Sequence, residues 1–170
     1  MAATLIRRGT ALAATGAVAG ALLFASATPA AAGGDDAVLT ATRGGVSPTA
    51  AAADVIRCTL RVHQPHYSHH AHAADKHRVN VTADVKCTKR VARLRIKVRL
   101  YKNGQPYKTT GWKSNSGKNW ISYNAARRCV KRQRYQGQAW AQVVFPPGYR
   151  PPAAAGTVKS RVVTINRCTR

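Results

Sequence analysis

Residues 91–101 alternate with period two. Ala92, Leu94, Ile96, Val98 and Leu100 fall on one parity, and Arg93, Arg95, Lys97 and Arg99 on the other. Successive strand side chains point to opposite faces, so the pattern predicts a half-buried β-strand with a basic ladder on its open side. Lys102-Asn103-Gly104 follows and reads as a hairpin turn. This stretch commits the chain to an antiparallel β fold with a positive surface.

The period recurs. Residues 55–62 read as a strand that opens the domain. In 77–87, Val79, Val81, Ala83, Val85 and Cys87 face in while Arg78, Asn80, Thr82, Asp84 and Lys86 face out. In 134–145, Tyr135, Gly137, Ala139, Ala141, Val143 and Phe145 alternate with Arg134, Gln136, Gln138, Trp140 and Gln142. Weaker strands are expected at 105–112, where Pro106 is tolerable only near a strand's start or on an edge, and at 118–123, after the turn-rich Ser114-Asn115-Ser116-Gly117. The last strand, 156–168, slips its alternation at Val162-Val163, which predicts a bulge or an edge position. About seven strands and no helix point to an all-β, immunoglobulin-like antiparallel sandwich, with an OB-like barrel as the alternative. The Cys-Trp-Cys spacing of antibody domains is absent, so the expectation is one of architecture.

Not all of the chain is expected to join this domain. Residues 1–32 have the form of a secretory signal peptide: Arg7 and Arg8, an Ala-rich apolar stretch, then small residues offering cleavage after Ala30 or Ala32. The apolar run is too short for an anchor, so a secreted, extracellular mature protein without integral membrane association is expected. Residues 33–54 are rich in Ala, Gly, Thr and Ser and read as a disordered leader or linker, against a competing short edge strand at 37–40. The domain proper is then 55–170, and a monomer is expected.

Four cysteines in an exported chain, Cys58, Cys87, Cys129 and Cys168, imply two disulfides. Hairpin symmetry selects one of the three pairings. The sequence midpoint of Cys58 and Cys87 falls inside the His-rich loop, and that of Cys129 and Cys168 inside Pro146-Pro147-Gly148-Tyr149-Arg150-Pro151-Pro152. Each pair, Cys58–Cys87 and Cys129–Cys168, would close an antiparallel hairpin. Loop-closure entropy gives each bridge about 3–4 kcal/mol. The closely spaced Cys pairs of a zinc site are missing.

Several segments resemble a family of small secreted actinobacterial proteins to which no activity is attached. They are Pro65-His66-Tyr67-Ser68-His69, Val79-Asn80-Val81, Leu100-Tyr101-Lys102-Asn103-Gly104, Asn124-Ala125-Ala126 before Cys129, Tyr135-Gln136-Gly137 and Phe145-Pro146-Pro147-Gly148-Tyr149-Arg150-Pro151. The resemblance implies an exported, disulfide-bonded β domain and carries over no catalytic residue. This chain departs from it by being more basic, at Lys76-His77-Arg78 and across 127–134.

Charge narrows the function classes. The chain holds 28 Lys and Arg, of which only Arg7, Arg8 and Arg43 precede residue 55. It holds five Asp and no Glu; Asp35, Asp36 and Asp54 lie upstream, so the domain keeps a surplus of +23. A field of that size favours polyanions: nucleic acid, envelope polymers or acidic glycans. The candidate contacts are Arg93, Arg95, Lys97 and Arg99, whose i, i+2 spacing of about 6.6–7 Å is comparable to that of successive phosphates. Arg127, Arg128, Lys131, Arg132 and Arg134 add a second cluster. Tyr101 shares the ladder's face and Trp140 lies on a polar face, and basic groups with exposed aromatics are what a single-strand binder uses. The competing reading is a structural or interaction module with incidental charge.

His63, His66, His69, His70, His72 and His77 all fall in one loop region, a composition that points to Cu, Ni or Zn binding. Catalysis is not expected. The domain's two acids, Asp75 and Asp84, make no paired-carboxylate site, a nucleophile elbow and a Gly-rich phosphate loop are absent, and oxidised cysteines supply no thiol.

Overall fold

The computed structural model describes residues 36–44, 53–68 and 77–168. Among the described residues eleven strands form two antiparallel sheets. The first contains β1 (Asp36–Arg43), β2 (Asp54–Val62), β3 (His66–Tyr67), β4 (Arg78–Cys87) and β8 (Trp120–Arg128). The second contains β5 (Arg93–Lys102), β6 (Gln105–Thr109), β7 (Lys113–Ser116), β9 (Gln133–Val144), β10 (Ala153–Lys159) and β11 (Val163–Ile165).

In the first sheet β1 pairs with β2, and β2 with β4. Because β8 runs along one edge of β4 opposite Arg78 to Lys86, β2 and then β3 share the other edge. In the second sheet β9 lies between β5 and the β10/β11 pair, while β6 and β7 succeed each other along the far edge of β5. Neither sheet closes on itself. The expected sandwich is formed, and the OB-like barrel is not.

The predicted alternation places the core. Val79, Val81, Ala83 and Val85 of β4, Leu94, Ile96, Val98 and Leu100 of β5, and Tyr135, Ala139, Ala141 and Val143 of β9 are all buried between the sheets. Gly137 of β9 faces the first sheet so closely that a Cβ there would stand 2.3 Å from Val81 Cγ2. Tyr135 is the largest fully buried side chain; its hydroxyl accepts from Val130 N–H at 2.9 Å and donates to Val130 C=O at 3.0 Å. Burial raises this phenol's pKa above its ordinary value. The Asn-Gly turn after β5 has φ 50° at Asn103 and φ 78° at Gly104. Positive φ at both central positions suits the right-handed twist of a hairpin.

Both disulfides pair as hairpin symmetry predicts. Cys58 and Cys87 are register partners across β2 and β4, with Cα atoms 3.9 Å apart. Cys129 and Cys168 continue the β9–β10 hairpin beyond its strands, with Cα atoms 5.8 Å apart.

Four expectations need correction. Part of the supposed leader is β1, paired along its whole length with β2, with Ala37, Leu39 and Ala41 in the core. The edge strand was the right alternative, and the domain starts no later than Asp36. Residue 92 is exposed and Val91 is buried, because β5 begins only at Arg93 and the chain bends before it. The turn expected at 114–117 is largely β7, since pairing with Arg93–Ile96 overrides the low strand propensity of Ser and Asn. Finally, β8 continues to Arg128, well past the expected 118–123. The slip at Val162-Val163 is a break between β10 and β11, which both lie on an edge. The signal segment 1–32, residues 33–35 and 45–52, and His69, His70 and His72 lie outside the described residues.

Candidate functional site

The outward parity of β5 and β9 builds one surface. Register puts Arg95 beside Gln142, Lys97 beside Trp140, Arg99 beside Gln138 and Tyr101 beside Gln136. Lys159 of β10 stands beside Gln138 on its other flank. Trp112, in the link between β6 and β7, lies under Arg95, whose guanidinium carbon is 4.9 Å from the ring centroid.

Cations and rings alternate along this face. Trp140 is met by Lys97 at 5.8 Å and Arg99 at 5.1 Å, and Tyr101 by Arg99 at 5.7 Å and Lys159 at 6.0 Å. Neutral oxygens orient the cations further. Arg95 donates to Gln142 Oε1 at 3.1 Å, and Arg99 to Thr109 Oγ1 at 2.9 Å and to Tyr101 Oη at 3.2 Å. Tyr101 in turn donates to Gln138 Oε1 at 2.6 Å. An exposed cation–π contact is worth about 0.5–1 kcal/mol, and it leaves the full positive charge in place.

The acids are elsewhere. No Asp or Glu occurs after Asp84, so every strand of the second sheet is free of carboxylates. The three described acids each engage a neighbour on the first sheet or at its rim. Asp36 of β1 holds Arg61 through two bonds of 2.9 Å, Asp84 of β4 meets His63 Nε2 at 2.8 Å, and Asp54 binds both Lys89 and the Tyr149 hydroxyl. The hydrogen bond from Arg61 lowers the Asp36 pKa, and those from Lys89 and Tyr149 lower that of Asp54. Positive charge is therefore partly cancelled on one face of the sandwich and uncancelled on the other.

The second basic cluster does not join the ladder. Arg127 and Arg128 end β8, in the opposite sheet. Arg127 is engaged at the end of the sandwich, donating to Tyr107 C=O and stacking 4.6 Å from the Tyr107 ring. Lys131 and Arg132 occupy the turn into β9. Only Arg134 has the ladder's parity, at the far end of β9, where its backbone is tied to Asn103. Adjacency in sequence does not survive folding here because the chain changes sheets between Arg128 and Gln133.

The described histidines also part company. His63 binds Asp84, His66 Nδ1 faces Gln64 C=O at 3.2 Å, and His77 Nδ1 meets the Tyr67 hydroxyl at 2.6 Å. No cluster of three or more His, Cys, Asp or Glu able to hold a metal occurs among the described residues.

Sequence reasoning missed Trp112 and Lys159 as members of the face. Trp112 precedes β7 in an irregular link, where period says nothing of direction, and Lys159 ends a strand of mostly small residues without a clear polar and apolar alternation. Compared with known proteins, the chain matches no family model, no curated protein and no solved structure.

Proposed function

We propose that this protein is an exported, non-catalytic binder of anionic polymers, which it holds on the outer face of the second sheet through Arg93, Arg95, Lys97, Arg99 and Lys159. The observation that carries the reading is charge segregation. Arg95, Lys97, Arg99 and Lys159 lean on aromatic rings, amides and hydroxyls, while the described carboxylates lie on the other sheet or at its rim. A merely solvated basic surface has no reason to sort its acids to one side. Export agrees with two disulfides, which suit an oxidising compartment, and with the leader-like start of the sequence and its resemblance to small secreted actinobacterial proteins. Among the described residues no helix is long and apolar enough to cross a membrane.

The test is retention on immobilised heparin and on DNA across a salt gradient. Neutralising Z phosphates releases counterions, so affinity falls steeply with salt. Strong retention at low salt that is lost by about 0.5 M supports the reading. Absence of retention at low salt, or retention indifferent to salt, rejects it and leaves an interaction module whose charge is incidental.

A further inference from the structure

We infer that the anionic polymer taken by this face is single-stranded nucleic acid, with bases stacked in a groove beside Trp112 and Trp140 and phosphates along Arg95, Lys97 and Arg99. The inference rests on the polyanion reading above and adds a ring-binding element that charge alone does not require.

A groove of about 670 Å³ runs along this flank of the sandwich. It is lined by Trp112 and Trp140, by Ala153, Ala155 and Thr157 of β10, and by Val38 of β1. Its size falls within the range of about 300–1,000 Å³ typical of ligand sites. The β10 residues that line it carry small side chains. The groove is also apolar where it is exposed: Val38 is 53% exposed and Trp112 39%. A polyanion without rings would engage the cations and leave this wet apolar surface uncovered. A chain carrying both phosphates and planar bases covers both.

The spacing agrees. Strand residues i and i+2 are about 6.6–7 Å apart, close to the phosphate repeat of a nucleic-acid strand, and single-strand binders combine such cations with aromatic platforms. A duplex cannot use the platform, because its bases are already stacked on each other. An acidic glycan fits less well. Each sugar ring brings hydroxyls that need partners when buried, and the amide oxygens lining the face are already engaged, Gln142 Oε1 by Arg95 and Gln138 Oε1 by Tyr101, while Gln138 Nε2 donates to Thr157. With its amide oxygens committed, the face offers few groups to read a particular base, so binding should tolerate many sequences.

The experiment is a binding titration of the purified protein with three probes. They are an oligothymidylate of about 12 nucleotides, an abasic oligomer with the same number of phosphates, and hyaluronate, each followed by anisotropy and by tryptophan fluorescence. The wild type should bind oligothymidylate roughly tenfold or more tighter than the abasic oligomer, with quenching. Trp112→Ala and Trp140→Ala should each weaken oligothymidylate binding by roughly 5- to 100-fold and abasic-oligomer binding by no more than about 3-fold, with the salt slope nearly unchanged because no cation is removed. Trp120→Ala is the control: Trp120 is 53% exposed but stands on β8 in the first sheet, and its removal should change nothing. Should Trp140→Ala fail to fold, Trp112→Ala and the wild-type preference still decide. Equal affinity for the thymidylate and abasic oligomers overturns the inference while sparing the electrostatic reading. Hyaluronate binding that depends on the tryptophans while thymidylate binding does not makes the groove a sugar site and also overturns it. If no probe binds at low salt, both readings fail.

Discussion

Gly137 sits where the two sheets come closest, and its missing side chain is what lets Val62 and Val81 of the first sheet pack against β9. A methyl group added there would meet Val81 Cγ2 at 2.3 Å and Val62 Cγ2 at 3.0 Å, in a core with no room to yield. Overpacking of this kind costs about 1–3 kcal/mol. Gly137→Ala should therefore lower the urea midpoint without changing the slope; an unchanged midpoint would show that the sheets can move apart freely. The inward parity of Gly137 was legible in the alternation of β9, but the reason for glycine was not. It depends on two valines about 55–75 positions away, whose approach is set by sheet packing. The same division holds at the basic face. Arg93 to Arg99 and Trp140 could be assigned to open faces by parity alone. That Trp140 stands beside Lys97 follows from the β5–β9 register, which joins strands separated by the whole β6–β8 segment.

Strand by strand, the sequence was most readable where both parities are chemically distinct. β4, β5 and β9 alternate Val, Leu, Ile or Ala with charged and amide residues, and each was located to within about two residues. β1 was harder because Val38, on its outward parity, is as apolar as its core residues Ala37, Leu39 and Ala41. What fixes β1 is tertiary. It pairs with β2, Asp36 grips Arg61, and Arg43 donates to Pro147 C=O and stacks 5.0 Å from Tyr149. Asp54, at the start of β2, ties Tyr149 and Lys89 to the same corner. These carboxylates have folded pKa values below their ordinary ones, so the folded state binds fewer protons than the unfolded chain. Their contribution is present above the unfolded carboxylate value of about 3.9 and is lost as pH falls through the lower folded values. The denaturation midpoint should accordingly drop as pH is taken beneath about 4. An Asp36→Asn, Asp54→Asn double variant should begin lower at neutral pH and decline less. Parallel acid curves for the two proteins would remove these pairs from the account of how β1 is held.

At the scale of the whole molecule, the sandwich sorts charge in a way that a residue count cannot express. The surplus of +23 belongs to the chain, but the distribution belongs to the fold. Acids end at Asp84, and the strands that follow supply the entire second sheet together with β8. The ladder was visible in the sequence. Its separation from Arg127 and Arg128 was not, because these close β8 in the first sheet before the chain returns to the second at β9. If the proposed binding holds, the position of the charge, rather than its total, should govern it.

The most direct measurement compares two variants that each lose three charges. One carries Arg95, Lys97 and Arg99 changed to Gln on the second sheet; the other carries Arg57, Arg78 and Lys86 changed to Gln on the outer face of the first. Binding of oligothymidylate is followed as log K against log salt. Each cation that neutralises a phosphate contributes about 0.7 to the slope for a single strand. The account predicts that the second-sheet variant loses about two units of slope and most of its low-salt affinity, while the first-sheet variant stays within about half a unit of wild type. Equal losses in the two variants would mean that net charge alone drives binding, and would contradict a dedicated face.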